Sequence, residues 1–256
     1  MNKIFSSRVE ARSIGIVDPV QHSNSAAILW LLNGKSFQEN DLERFTDRLS
    51  PSETRRLRRF TRSVRRRQFL LGRVLLRYAV AAVTGHASHD FSVLERSGEA
   101  PQLLFSDSSY GAPNFSLSHS GDWIACVVST AAVVGVDIEV NRPDRGFDDI
   151  CTLSFPEREQ LWFGARPHTE RCAAFYLLWC VTEAAYKLRC NLRSSAEALR
   201  LIDEDSDGSS CRPGVYPYQV PVDDLGITAV VVSNEPLSGI RKMVLTQSTT
   251  ISDLIT

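Results

Sequence analysis

The sequence lacks the long apolar runs, the paired cysteines and the one-signed charge that mark several classes of protein. No stretch approaches the roughly 18 apolar residues of a membrane span, so we expect no membrane partner. The 6 cysteines are widely spaced and form no C-x-x-C pair, which argues against a zinc site. A formal net charge of −1 predicts no overall attraction to nucleic acid or to a membrane surface. Because the first residues also lack the apolar core of a signal peptide, we expect a reducing, cytoplasmic setting.

What is present is the composition of an ordinary globular protein, with 43% hydrophobic and 23% charged residues in a chain of 256. A chain of this length can bury a large core as one domain or as two smaller ones. An order of strand, short helix, long helix and then strands occurs twice. This repeated order predicts an α+β fold of two similar halves, which we assign to residues 1–131 and 132–256.

Local signals place several elements. Ser50-Pro51-Ser52-Glu53 predicts a capped helix that runs to about Phe60. A second, longer helix is expected from Ser63 until Gly85. Residues 97–113 are predicted to form a turn-rich loop.

The segment G-V-D-I-E at residues 135–139 has the pattern of a strand. Asp137 and Glu139 are two residues apart, so both side chains point to one face, while Val136 and Ile138 point to the other. Two like charges side by side on a strand repel each other, and a hard cation such as Mg²⁺ would reverse that effect. The alternative is a strand face that points to solvent.

Glu183 and Lys187 are four residues apart in a predicted helix and therefore share one of its faces. They could form an ordinary surface salt bridge, which contributes roughly 0.3–0.5 kcal/mol. The helix is, however, apolar on nearly all sides. A charged pair on a mostly buried helix needs a partner or a ligand, so we prefer a functional interpretation.

Ser118-His119-Ser120 ends another predicted strand. A serine nucleophile activated by His119 is disfavoured, because adjacent strand residues point to opposite faces and no G-x-S-x-G turn is present. A hydroxyl and an imidazolium at a strand end could instead bind phosphate oxygens. The remaining alternative is a turn that happens to contain histidine.

Arginines are concentrated in one short region. They could follow a nucleic-acid backbone, clamp a phosphate-bearing cofactor or form a solvated helix face. The cluster consists of Arg55, Arg56, Arg58, Arg59, Arg62, Arg65, Arg66, Arg67, Arg73 and Arg77.

Taken together, these segments resemble the 4'-phosphopantetheinyl transferases of the larger, pseudo-dimeric kind that activate peptide and polyketide synthases. The resemblance runs from about Ser50 to Leu188. It rests on four motifs that occur in the family's order: the arginine-rich helix ending in residues 69–73, F-S-L-S-H-S at 115–120, G-V-D-I-E at 135–139 and W-C-V-T-E-A-A-Y-K at 179–187. It implies that the two halves pack as a pseudo-dimer.

The resemblance implies a reaction and its ligands. Coenzyme A and Mg²⁺, with Mn²⁺ as a substitute, bind between the halves. A serine of an acyl or peptidyl carrier protein attacks the β-phosphate, and 3',5'-ADP leaves. Asp137, Glu139 and Glu183 hold the metal, Glu183 also acts as the base, and Lys187 contacts the pyrophosphate. Both Glu183 and Lys187 are therefore expected to be catalytic.

The resemblance also implies contacts to coenzyme A. Ser118 and His119 would bind its phosphates, with His119 near the 3'-phosphate. From the arginine cluster we choose Arg56 and Arg67 for the nucleotide end. The full expected set is Arg56, Arg67, Ser118, His119, Asp137 and Lys187.

Two positions depart from the family pattern. Thr182 stands where the family has lysine, and residues 97–101 read S-G-E-A-P where the family has a G-K-P turn. These departures leave open a non-catalytic or weakly active relative that binds coenzyme A or a carrier protein. A nucleic-acid-binding module is a further alternative. Fatty-acid, polyketide and peptide synthase carriers are all compatible with the sequence, and we expect a monomer because pseudo-dimeric members complete the site within one chain.

Overall fold

Two β-sheets packed face to face form the centre of the protein, and one long helix covers each outer face. The description rests on a computed structural model that defines residues 27–107, 111–192 and 214–245. None of the helices in these ranges is both long and apolar enough to cross a membrane. Helices and strands occur in separate runs along the chain, which confirms the predicted α+β class.

The strands are β1 (Ala27–Asn33), β2 (Phe91–Leu94), β3 (Gln102–Phe105), β4 (Asn114–Ser120), β5 (Trp123–Ser129), β6 (Val134–Val140), β7 (Tyr216–Gln219), β8 (Ile227–Ser233) and β9 (Ile240–Leu245). The helices are α1 (Glu39–Phe45), α2 (Pro51–Leu57), α3 (Ser63–Thr84), α4 (Phe147–Ser154), α5 (Glu157–Gly164) and α6 (Arg171–Asn191).

The two sheets repeat one strand arrangement. The first has the order β4-β5-β1-β9 and the second the order β6-β8-β7, while β2 and β3 form a separate hairpin. Each sheet contains a pair of antiparallel neighbours, β4–β5 in the first and β7–β8 in the second. The second strand of each pair also pairs antiparallel with a strand from earlier in the chain, β5 with β1 and β8 with β6. Strand β9 lies in the second half of the chain but pairs in parallel with β1 of the first sheet. The division into halves at residue 131 stays a prediction.

Alternation of side chains along the strands separates the layers of the core. One face of the first sheet packs against α3, and the opposite face packs against the second sheet. The outer face of the second sheet packs against α6 through Ala184 and Leu188, which meet Val230 and Val232 of β8. The layer order is therefore helix, sheet, sheet, helix.

The predicted helix starts and stops are confirmed with one correction. Ser50 and Glu53 form a complete capping box at the start of α2, and Gly85 ends α3 in the left-handed conformation with φ of +74°. Helix α2 ends at Leu57 and not at Phe60. The amides of Arg59 and Phe60 bond three residues back, which tightens the chain into a turn.

The predicted loop at residues 97–113 contains a strand. Gln102–Phe105 pairs antiparallel with β2, and the side chain of Leu103 is buried in the core beside α3. Helices α1 and α4 were also not predicted. Both are only seven or eight residues long, which is too short a window to reveal a helical period in the sequence.

Buried charges join α2 to α3. The carboxylate of Glu53 is fully buried and lies 2.7 Å from Nη2 of Arg77 and 3.1 Å from Nε of Arg73. Arg73 also pairs with Glu95, which in turn lies 2.5 Å from Nη1 of Arg56. Burial lowers the pKa of Arg73, and the two carboxylates oppose that shift. Three arginines of the cluster are therefore engaged in ion pairs within the fold.

We expect Glu53→Gln to lower the free energy of unfolding by about 3–5 kcal/mol, because it leaves two buried guanidinium groups without their shared carboxylate. Urea denaturation followed by circular dichroism measures the change. Glu43→Gln is the matched control, since Glu43 is exposed on α1, and it should change stability by about 0.5 kcal/mol or less. Equal effects of the two substitutions would contradict the structural role of the Glu53 cluster.

Candidate active site

Helix α6 lies directly against β6 because β6 has a glycine at the point of contact. A Cβ atom on Gly135 would lie 2.1 Å from the carbonyl oxygen of Ala184 and 2.7 Å from the amide nitrogen of Leu188. No larger residue fits there without moving the helix. The glycine of the G-V-D-I-E motif therefore brings the backbone of α6 onto the strand that bears the motif's carboxylates.

The side chains of β6 point as predicted. Val136 and Ile138 are buried in the core between the sheets. Asp137 faces the α6 side and is 5% exposed, so a solvent-facing location is wrong for this residue. Glu139, two residues further on, is half-buried.

Lys187 connects α6 to β6. Its ammonium nitrogen lies 2.8 Å from Oδ1 of Asp137, 2.9 Å from Oγ of Ser118 and 3.0 Å from the carbonyl oxygen of Val136. An ammonium group has three donors, and these three acceptors use all of them. The ion pair of Lys187 is thus with Asp137 on the strand, not with its helical neighbour Glu183.

Strands β4 and β6 are edge strands of different sheets, and serine side chains join them. From residue 116 onward, every second residue of β4 is a serine whose hydroxyl accepts a hydrogen bond from an amide of β6. The bonds run from Val136 to Ser116 (3.1 Å), from Ile138 to Ser118 (3.4 Å) and from Val140 to Ser120 (3.0 Å). We call these three residues the serine ladder. They satisfy edge amides that would otherwise lack partners.

Two hydroxyls of the serine ladder also bind the carboxylates. Ser118 donates to Oδ1 of Asp137 at 2.7 Å, and Ser120 donates to Oε2 of Glu139 at 2.6 Å. Desolvation, reinforced by the charge of Asp137, raises the pKa of Glu139, while the bond from Ser120 opposes the shift. The second oxygen of Asp137, Oδ2, is buried and has no hydrogen-bond partner.

His119 lies on the opposite face of β4, close to the start of α3. Nη1 of Arg65 lies 3.1 Å from Nε2 and 3.4 Å from Nδ1 of its ring. Although His119 is exposed at the surface, its neighbours desolvate the ring, and this effect together with the charge of Arg65 lowers its pKa. Two basic groups therefore converge on one surface position.

The structure gives Arg56 and Arg67 contacts within the fold. Arg56 pairs with Glu95. Nη2 of Arg67 donates to the carbonyl oxygens of Gly34 at 2.7 Å and Phe37 at 2.5 Å. Reasoning from the sequence missed Arg65, because nothing in a run of arginines shows which of them reaches β4.

Two family models match adjoining parts of the chain. The model for the N-terminal part of 4'-phosphopantetheinyl transferases matches residues 36–131, and the model for the 4'-phosphopantetheinyl transferase superfamily matches residues 133–224. The chain belongs to the 4'-phosphopantetheinyl transferase superfamily. The resemblance seen in the sequence is thereby confirmed.

Individual members of the superfamily show the same relationship. The chain is 33% identical to the 4'-phosphopantetheinyl transferase AcpT of Salmonella typhimurium over 132 residues, which are 49% of this chain and 60% of the relative. It is 28% identical to the transferase Sfp of Bacillus subtilis over 163 residues, 60% of this chain and 65% of the relative. For the transferase HetI of a Nostoc species, the identity is 27% over 58% of this chain and 62% of the relative. The chain thus spans less than two thirds of the length of each.

The two departures from the superfamily pattern have defined surroundings. Thr182 is exposed on α6, and its hydroxyl donates to the carbonyl oxygen of Leu178 at 2.9 Å. In the region that replaces the G-K-P turn, Glu99 pairs with Arg96 at 3.4 Å. Position 182 therefore supplies no cation, and the positive charge beside residues 97–101 is that of Arg96, which pairs with Glu99.

The carboxylates on β6 suit a hard cation, because the buried Oδ2 of Asp137 has no hydrogen-bond partner and Glu139 lies on the same side of the strand. Within residues 27–107, 111–192 and 214–245, however, no group of three or more His, Cys, Asp and Glu side chains could hold a metal ion. Glu183 is half-buried on α6 but does not join the other two in one ligand set. The three-carboxylate site stays a prediction.

We expect Gly135→Ala to lower the free energy of unfolding by about 1–3 kcal/mol or more, because the added methyl group must push α6 away from β6. Gly72→Ala is the matched control. A methyl group on Gly72 meets no atom of another element within 4 Å. Since alanine is the better helix former, this substitution should raise stability by up to about 1 kcal/mol. Chemical denaturation of both variants measures the change in the free energy of unfolding, which should be a decrease for Gly135→Ala and an increase for Gly72→Ala. A Gly135→Ala variant of unchanged stability would contradict the close packing.

Proposed function

We propose that the protein transfers the 4'-phosphopantetheine arm of coenzyme A to a serine of an acyl or peptidyl carrier protein and releases 3',5'-ADP. The observation that carries the proposal is the convergence of Lys187, Ser118 and Asp137 at the join of β4, β6 and α6. This cluster lies in a chain that belongs to the 4'-phosphopantetheinyl transferase superfamily. Its relatives named as 4'-phosphopantetheinyl transferases support the same reaction.

In the proposed reaction the serine oxygen of the carrier forms a bond to the β-phosphorus of coenzyme A. The bond from that phosphorus to the bridging oxygen breaks, and its electron pair leaves with 3',5'-ADP. Glu183 takes the serine proton, directly or through water. Lys187 would stabilise the charge that develops on the pyrophosphate, and its ammonium group would exchange one of its three contacts within the fold to do so.

Asp137, Glu139 and Glu183 would hold Mg²⁺, with Mn²⁺ as a substitute. When bound, the ion supplies charge neutralisation at the pyrophosphate. The free Oδ2 of Asp137 supports this role. Ser118 and Ser120 already orient the two carboxylates of β6, so the ligand atoms of that strand are preorganised.

His119 and Arg65 would bind the phosphate at the nucleotide end. A phosphate bound beside both groups would accept hydrogen bonds from each and favour the protonated imidazole, and guanidinium matches phosphate in a bidentate geometry. Arg65 thereby supplies positive charge in a site that lacks two of the superfamily's lysines. Arg56 and Arg67 remain candidates from the resemblance, and each would have to keep or exchange its contacts within the fold.

The setting and the partners are proposed with the reaction. The described cysteines are free thiols, which supports a reducing cytoplasmic setting. We propose a monomer, since the halves of one chain supply every residue assigned here, and fatty-acid, polyketide and peptide synthase carriers all fit. We propose no nucleic-acid partner, because arginines of the cluster are used within the fold.

A second candidate is a relative that binds coenzyme A or a carrier without transfer. Thr182 favours it, because this position has no cation, and so does the Arg96–Glu99 pair, because Glu99 already engages the cation beside residues 97–101. Calorimetry of carrier binding, combined with the mass of the carrier, separates the candidates. A non-catalytic relative binds a carrier protein without changing its mass.

Incubation of apo carrier proteins with coenzyme A and Mg²⁺ should add one phosphopantetheine arm, seen by mass spectrometry. Asp137→Asn should slow the transfer by about 100-fold or more, because it removes a carboxylate ligand of the proposed Mg²⁺, which neutralises charge at the pyrophosphate. Asp149→Asn, at an exposed position of α4, is the matched control and should transfer normally. Circular dichroism shows that both variants fold. Carrier binding without any mass gain by the unmodified protein would favour the second candidate.

Arg65→Gln should weaken binding of 3',5'-ADP by about 10- to 100-fold, because it removes a charged donor to phosphate. Binding of 5'-AMP, which lacks the 3'-phosphate, should change little. Arg66→Gln is the matched control, since Arg66 is exposed and donates to the carbonyl oxygen of Leu57. Calorimetric titrations of Arg56→Gln and Arg67→Gln test those two candidates in the same way. An unchanged affinity in Arg65→Gln would remove Arg65 from the site.

A further inference from the structure

The serine ladder has two kinds of member. Ser116, Ser118 and Ser120 all accept an amide hydrogen from β6. Ser118 and Ser120 also donate to carboxylates of β6, whereas the Ser116 hydroxyl contacts the Val136 amide. The three serines therefore share the bond to a β6 amide but differ in whether they also bind a carboxylate.

The hydroxyl of Ser120 is fixed at both ends. A serine hydroxyl has one hydrogen to donate and two lone pairs to accept. The amide of Val140 occupies one lone pair at 3.0 Å, and the single hydrogen points to Oε2 of Glu139 at 2.6 Å. Because β4 supplies the hydroxyl and β6 supplies the carboxylate, the first sheet determines the orientation of a side chain on the second.

We infer that Ser120 is a positioning residue that orients Glu139 for metal binding across the join of the two sheets. The inference rests on the proposed function, in which Glu139 is a Mg²⁺ ligand. A ligand oriented before the ion arrives loses less rotamer freedom on binding, and polar groups behind metal ligands typically raise metal affinity. Ser120 would act through Glu139 without touching the substrate.

If Ser120 had a purely structural role, Ser120→Ala would not be more harmful than Ser116→Ala. Ser116 is buried, whereas Ser120 is half-buried, so loss of the ladder bond alone should harm Ser116→Ala at least as much. If Ser120 orients Glu139, only Ser120→Ala should weaken metal binding. Ser116→Ala is therefore the matched control for the ladder.

Calorimetric titration of Mg²⁺ into the protein saturated with 3',5'-ADP tests the inference without requiring turnover. Ser120→Ala should weaken Mg²⁺ binding about 10-fold, and Ser116→Ala should leave it unchanged. Ser120→Thr keeps the hydroxyl and should restore most of the affinity. Urea denaturation of each variant shows whether it folds.

A double-mutant cycle keeps the inference testable if Ser120→Ala is itself unstable. Because Ser120 acts through Glu139, adding Ser120→Ala to Glu139→Gln should cause no further loss of Mg²⁺ affinity. Independent, additive losses would overturn the positioning role. An unchanged affinity in Ser120→Ala, with normal binding by the unmodified protein, would overturn that role alone. No Mg²⁺ binding by the unmodified protein would overturn both this inference and the metal assignment.

Discussion

The contact of α6 with β6 at Gly135 is the constraint on which the site depends. It places Lys187 within reach of Asp137, and the end of the same helix is tied down by Asn191, whose amide donates to the carbonyl oxygens of Phe115 and Val134. One helix thus contacts the edge strands of both sheets. Movement of α6 by the width of a methyl group would separate the lysine from its carboxylate and loosen the join of the sheets.

The join is polar where the rest of the interior is apolar. A buried ion pair such as Lys187–Asp137 contributes little net stability compared with apolar packing, because both groups lose their water. Between β4 and β6, serine hydroxyls likewise take the place of the backbone carbonyls that would accept these amides in a continuous sheet. These costs are understandable if the join is also the place where phosphate and metal bind, and the apolar layers on either side provide the stability.

The parts of the structure that neighbouring residues determine could be predicted from the sequence. The Ser50 cap, the stop at Gly85 and the directions of Asp137 and Glu139 all follow from local periods and caps. Contacts between distant segments could not be predicted in the same way. The choice of Arg65 among many arginines depends on where the start of α3 meets β4, and the family resemblance supplied the expected ligands without their distances.

Strand β9 has a consequence for the order in which the protein can be completed. It pairs in parallel with β1, although more than two hundred residues separate the two in the chain. The first sheet therefore remains one strand short until the ribosome has made residues 240–245. Until then the edge of β1 presents unpaired amides and carbonyls, the surface on which strands of other molecules assemble. A nascent or truncated first half would therefore expose an unpaired, aggregation-prone edge of β1, which β9 covers in the finished protein.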